Sequence, residues 1–169
     1  MPRRKLTQSL LQEALRYDPC TGHFTWIKGR TGTAPGRRAG WVADSGHICI
    51  GIDRRTYKAH RLAWLYMTGA WPVHEIDHKN NVPADNRFAN LREATDQQNS
   101  HNRRTRCDNV SGLKGVCFRK DKKERPYQAL ICIGLGKKRS LGFYRTPQEA
   151  HAAYAAAART HHGEFARLA

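Results

Sequence analysis

Between Asp77 and Asn102 the chain gathers side chains that could hydrolyse a phosphodiester. The run reads Ile76-Asp77-His78-Lys79-Asn80-Asn81, then Asn86-Arg87-Phe88-Ala89-Asn90-Leu91-Arg92, then Asp96-Gln97-Gln98-Asn99-Ser100-His101-Asn102. Such hydrolysis needs a divalent ion for the charge that builds on the phosphate and the leaving 3′ oxygen, and a group that deprotonates water. Hard oxygen donors from Asp and Asn suit Mg²⁺ or Mn²⁺, and a neutral imidazole is a good base near neutral pH. Asp77 offers the oxygen and His78 the imidazole. Adjacent residues on a strand point to opposite sides, so this pair needs a twist or bulge to converge. Asn99, on a helix, would bring a second oxygen ligand across from Asp77. His101 and Asn102 are alternative ligands if the helix register differs, and His74 reads as solvent-exposed. Arg92 and Arg103 are candidate phosphate clamps, although a solvated helix face explains them as well. Turn preferences alone also bring Asp, His and Asn together. The chemical reading rests on the whole run and on its setting in a strongly basic chain.

Short elements must position these groups. Residues 6–17 place Leu6, Leu10, Leu11, Ala14 and Leu15 on one helical stripe, with Thr7 or Ser9 as N-cap. Asp18 to Gly22 reads as a turn and His23 to Ile27 as a short strand. Residues 28–41 are glycine-rich and basic, a loop or flap. Residues 47–52 and 56–59 form a hairpin turned at Asp53-Arg54-Arg55. A helix fits 60–68, stopped by Gly69. Polar turns follow from Val73, ending in a helix near 93–103.

After a polar stretch the pattern changes. Three strand-like runs, 115–119, 127–133 and 139–144, precede a strong helix start at Thr146-Pro147-Gln148-Glu149, with Thr146 as N-cap and Glu149 completing a capping box. The helix runs to about His161 and Gly163 stops it. From Arg103 to Arg145 there are 13 basic residues against 3 acidic ones, interleaved with Phe118, Tyr127, Phe143 and Tyr144. That mixture suits a sheet lying on a phosphate backbone or in a groove, and also suits a solvated sheet face.

Thirty Lys and Arg face fourteen Asp and Glu, a formal charge of +16 over 169 residues. Charge on that scale opposes compaction unless a polyanion balances it, so nucleic acid is the expected partner. No apolar run approaches the about 20 residues a spanning helix needs, and no apolar stretch follows the basic start, which predicts a soluble, intracellular, unsecreted chain. Five cysteines without any C-x-x-C pair argue against a disulfide framework and a cysteine zinc knuckle; they read as reduced and packed.

The segments His60-Arg61-Leu62-Ala63-Trp64, Trp71-Pro72, Ile76-Asp77-His78, Asn86-Arg87, Asn90-Leu91-Arg92 and Gln98-Asn99 resemble the HNH homing endonucleases of phages. The lead-in Tyr17-Asp18-Pro19, Thr21-Gly22 and Phe24-Thr25-Trp26 extends the resemblance over about residues 6–104. It implies a ββα-metal finger in which Asp77 is the first metal ligand, His78 the general base and Asn99 the second ligand. Asn90 would brace the loop and orient His78, while His60 would fix its helix start. The last motif position is Asn instead of His, as in the subgroup using an Asp/Asn metal pair, which weakens an inference of zinc.

Downstream, Ser111 to Val116, Tyr127 to Ile131, Lys138 to Phe143, Glu149-Ala150 and Ala153-Tyr154 resemble the APETALA2-type DNA-binding domain. That resemblance implies a three-stranded antiparallel sheet packed on one helix and entering the major groove. Lys114, Arg119 and Lys138 stand at its contact positions, and Arg139 and Gln128 are further candidates from this sequence. The expected whole is an α+β chain: a nuclease domain over 1–104 with its ββα-metal core at 60–104, a linker at 105–112, and a DNA-binding domain over 113–169. The expected partner is double-stranded DNA, without a membrane, with the chain a monomer or dimer inside a bacterial host cell. A non-catalytic DNA-binding regulator is the alternative, and a ribosomal or RNA-binding protein ranks behind it.

Overall fold

Small antiparallel sheets and short helices alternate along the chain in a computed structural model that describes residues 5–29, 34–102, 109–134 and 136–168, apart from the His101 side chain. Arg103, Cys107 and part of the expected linker lie outside the described residues. The α+β expectation holds, and the chain divides into two units, Met1–Ala94 and Thr95–Ala169. That division falls before the expected linker, so the helix bearing Asn99 groups with the carboxy-terminal unit.

In the first unit, Thr7 caps α1 (Gln8–Ala14), its hydroxyl accepting from the Leu10 amide. The helix expected over 6–17 stops early. Leu15 and Tyr17 are buried while Arg16 and Asp18 are exposed, so a period of two takes over and the chain forms β1 (Leu15–Asp18), paired with β2 (His23–Trp26). Leu15 fits either period, and strand pairing decides. β3 (Trp41–Val42), β4 (Ile48–Ile52) and β5 (Arg55–Lys58) make a second antiparallel sheet. Asp53 and Arg54 turn its hairpin with φ of 48° and 60°, the left-handed pair a two-residue turn demands. Next, α2 (Ala59–Thr68) ends on Gly69 at φ 80°, and β6 (Glu75–His78) pairs in regular register with β7 (Leu91–Ala94). Leu11, Leu15, Ile50, Leu62 and Leu65 centre the core beneath.

The β1–β2 hairpin grips the loop between β6 and β7. Tyr17 donates its hydroxyl to the Asn86 carbonyl (2.7 Å), and the Phe88 amide donates to the Pro19 carbonyl (3.1 Å). Burial, with Asp18 adding, raises the Tyr17 pKa and keeps this donor protonated. At Gly22, φ +74°, a Cβ would strike the Asn86–Arg87 peptide.

In the second unit, Thr95 and Gln98 exchange hydrogen bonds at the start of α3 (Asp96–Asn102). β8 (Val116–Phe118), β9 (Tyr127–Gly134) and β10 (Lys137–Tyr144) form an antiparallel sheet with β9 central, followed by α4 (Pro147–His162). Thr146 and Glu149 complete the expected capping box. Val116, Ala129 and Ile131 pack on Ala150, Tyr154 and Ala158 of α4, where alanines let helix and sheet approach. Among the described cysteines only Cys49 is buried; Cys20 and Cys117 are exposed and Cys132 half-buried, which corrects the expectation that most pack as apolar residues. No helix among the described residues is long and apolar enough to cross a membrane.

Gly115 has φ +77°, and a Cβ there would enter the Tyr154 ring. Gly115→Ala therefore combines left-handed strain with overpacking and should cost about 2–5 kcal/mol. Urea unfolding checks this; an unmoved midpoint would show that Tyr154 does not seat against this backbone.

Candidate functional site

β6 supplies both chemical groups of the sequence motif. Its pairing with β7 is regular, Asp77 opposite Arg92 and His78 opposite Leu91, so the expected bulge is absent from this register. Strand alternation sends the two side chains to opposite faces. Both are buried, at 5% and 6% exposure.

On one face, Asp77 Oδ2 accepts from Arg92 Nε (2.9 Å) and Nη2 (2.8 Å). The ion pair is nearly buried on both sides. Burying a carboxylate is costly unless a charge-assisted donor balances it, and Arg92 does so here. Arg92, expected to clamp phosphate, thus gives its Nε and Nη2 to Asp77. The Asp77 carboxylate is the kind of hard oxygen donor that fits Mg²⁺ or Mn²⁺.

On the other face, His78 Nε2 lies 3.2 Å from Asn86 Oδ1. Asn86 directs its Nδ2 to the Ala84 carbonyl (3.4 Å), leaving Oδ1 as acceptor, so His78 Nε2 carries the proton. In the neutral ring Nδ1 then keeps its lone pair. Burial lowers the His78 pKa, and the Asn86 bond opposes this in part; the net shift favours the neutral ring.

Asn90, expected to brace the loop and orient His78, makes its contacts with the loop. Its Oδ1 accepts from the Asn80 amide (3.1 Å), and its Nδ2 donates to Asn80 Oδ1 (3.0 Å) and the Asp85 carbonyl (2.8 Å). Asn80 in turn donates to Asp85 Oδ2 at 2.7 Å. The direct hold on His78 comes from Asn86. The signal for Asn86 was the motif Asn86-Arg87 itself, to which the sequence attached no role.

Two further histidines stand beside His78. His60 on α2 meets it edge-on with ring centroids 5.0 Å apart, and His47, just before β4, lies 5.1 Å from His60 and 5.8 Å from His78. One nitrogen from each of the three rings lies within 4.8 Å of the others. His60 is 4% exposed, and its Nδ1 has no hydrogen-bond partner among the described residues. Burial, then His78 and His47, lowers its pKa to about 3. Burial, then Lys58, lowers that of His47. His60, expected to fix the helix start, thus sits against His78, and no sequence signal drew attention to His47. Asn99 and Asn102 lie on α3 of the second unit.

The second unit sorts its basic residues by sheet face. Lys138 pairs with Cys132 and Ser140 with Leu130, whereas Arg139 pairs with Ile131, whose side chain is buried against α4. Lys138 therefore shares the open face, and Arg139 belongs to the helix side. Gln128 is buried between neighbours: its Oε1 accepts from Arg119 Nε (2.8 Å) and its Nε2 donates to Ser140 Oγ (3.0 Å). That occupies the amide expected to read DNA. Lys114 is half-buried, and burial, with Arg167 adding, lowers its pKa to about 8.

Residues 57–101 match a family model described as HNH endonuclease. The chain thus carries a segment similar to that family, spanning α2, the β6–β7 hairpin and Asn99. No curated protein matches the chain. A solved structure entitled "DNA binding and cleavage by the HNH homing endonuclease I-HmuI" aligns at 18% identity and a TM-score of 0.43, covering 82% of this chain and 76% of that one.

Arg92→Met leaves the buried Asp77 carboxylate without this guanidinium and should destabilise the first unit by about 3–5 kcal/mol. Adding Asp77→Leu should recover a large part of that loss. Additive losses in the double variant, measured by urea unfolding, would mean the pair does not carry the cost.

Proposed function

We propose that this chain is a metal-dependent DNA endonuclease that hydrolyses phosphodiester bonds, cutting one strand per active site. The observation that carries this reading is the buried Asp77–His78 pair, each member held by its own partner, inside the segment similar to HNH endonucleases.

His78 is the general base. Its Nε2–H is engaged by Asn86 Oδ1, so Nδ1 faces the reaction with a lone pair and takes the proton from the attacking water. The imidazolium that results keeps its bond to Asn86, which fixes ring and tautomer throughout. Asn90 acts one step further out, tying Asn80 and Asp85 so that the loop carrying Asn86 keeps its path. Asp77 is the proposed metal ligand, and Asn99 enters as the second on the spacing of the motif alone; because Asp77 and His78 alternate on β6, the phosphate is proposed to reach both around the end of the strand, where His78 is the last paired residue. A divalent ion, Mg²⁺ or Mn²⁺, supplies neutralisation of the charge that develops on the phosphate and the leaving oxygen. Duplex DNA is the proposed substrate, and the net charge of +16 favours any polyanion. The carboxy-terminal sheet, read as APETALA2-like, is proposed to hold the duplex with its open face, where Lys138 and Arg119 stand.

Nicking of supercoiled plasmid tests the chemistry. Metal-dependent conversion to open circle should vanish in Asp77→Ala and His78→Ala while DNA binding stays nearly intact. Asn86→Ala should lower the rate by about 10- to 100-fold. Binding without conversion in Mg²⁺ or Mn²⁺ would favour the non-catalytic regulator. Salt-dependent binding tests the sheet: Lys138→Ala should weaken all sequences alike and reduce the salt slope by about 1. Arg139→Ala, on the other face, should change it less; the reverse order would place DNA on the helix side.

A further inference from the structure

We infer that His47, His60 and His78 form a second metal site, an all-imidazole centre for a borderline divalent ion of the zinc class, whose occupation withdraws the catalytic base. Three segments that are distant in sequence, the turn just before β4, α2 and the end of β6, bring these rings together. Points no more than 4.8 Å apart lie within about 2.8 Å of a common centre, against 2.0–2.1 Å for a zinc–imidazole bond, so each nitrogen need move only about 0.7 Å.

The setting around the rings agrees. Nδ1 of His47 lies 3.0 Å from Ser45 Oγ, and Nε2 of His78 engages Asn86. Such outer bonds orient metal-binding imidazoles and fix which nitrogen is left to bind. A buried imidazole nitrogen without a partner is costly, and among the described residues His60 Nδ1 has none. Nitrogen-only donors favour zinc-class ions over Mg²⁺, whereas the Asp77 carboxylate favours the reverse. The two preferences sit on opposite faces of one strand. An ion on the histidine face takes the lone pair of His78, so the chain would work with hard ions and stop with zinc. The inhibitory consequence rests on the nuclease reading; the metal site does not.

Cobalt(II) is the probe, because its visible absorption reports low-coordinate nitrogen ligation. Titrating the full chain should give a saturable band at one equivalent, and zinc should displace it. His47→Gln and His60→Gln should each weaken cobalt binding on the order of 100-fold, whereas Asp77→Ala should leave it unchanged. Stoichiometric zinc should stop Mg²⁺-driven nicking by the parent but not by His47→Gln, whose nicking in Mg²⁺ alone stays at the parental rate. No cobalt band in the parent, or equal bands in both histidine variants and the parent, overturns the site. Zinc that binds at the cluster without slowing nicking overturns the capture of the base. If nothing nicks but cobalt binding still depends on His47, the metal site stands and the nuclease reading falls.

Discussion

One strand must serve two faces. Asp77 and His78 are neighbours on β6, and a regular pairing with β7 sends them to opposite sides of the hairpin, both into the protein. A buried carboxylate and a buried imidazole make different demands. The first needs a cation within hydrogen-bond reach, the second an acceptor that fixes its tautomer. Arg92 meets the first demand from across the hairpin, and Asn86 meets the second from the loop that joins the two strands. Because Arg92 lies on the partner strand, the register that pairs β6 with β7 also sets the ion pair. A slip of one residue would remove the guanidinium from the carboxylate and turn His78 to the other face.

The motif was legible because its residue types are few and its spacing unusual: Asp77, His78, Asn90 and Asn99 were all nameable from the sequence. The capping box at Thr146 and Glu149, the stop at Gly69 and the three strands before α4 were legible for local reasons, since caps and turns involve residues close in sequence. Long-range partners were not. Nothing local marks Arg92 as the partner of a carboxylate 15 residues away, and that reach depends on strand register. His47 and His60 carry no mark of His78, because their meeting is tertiary. The first helix was overextended for a related reason: Leu15 suits a helical stripe and a strand equally, and only pairing with β2 separates the two.

The carboxy-terminal sheet shows the same limit in another form. Composition counted its basic side chains but not their directions. Alternation divides Lys138 from Arg139 and puts Leu141 on the helix side, and a bulge between Ser140 and Gly142 leaves Leu141 unpaired so that Phe143 pairs with Gln128. Gln128, which reads as an exposed contact in a list of polar residues, is a brace between strands that holds Arg119 and Ser140 in place.

The grip of the β1–β2 hairpin on the loop between β6 and β7 is made almost wholly on backbone: Tyr17 and Pro19 hold main-chain groups, and Gly22 lies against a peptide plane. Contacts of that kind are indifferent to which side chains the loop bears. Outside Asn80, Asn81, Asp85, Asn86 and Arg87, which carry the loop's side-chain bonds or its left-handed turn, the loop from Lys79 to Arg87 can therefore drift in composition while His78 keeps its place. What it cannot absorb is a change of length, because one residue more or fewer would carry the wrong carbonyl past Tyr17. Insertions and deletions, more than substitutions, set the boundary within which this site can diverge.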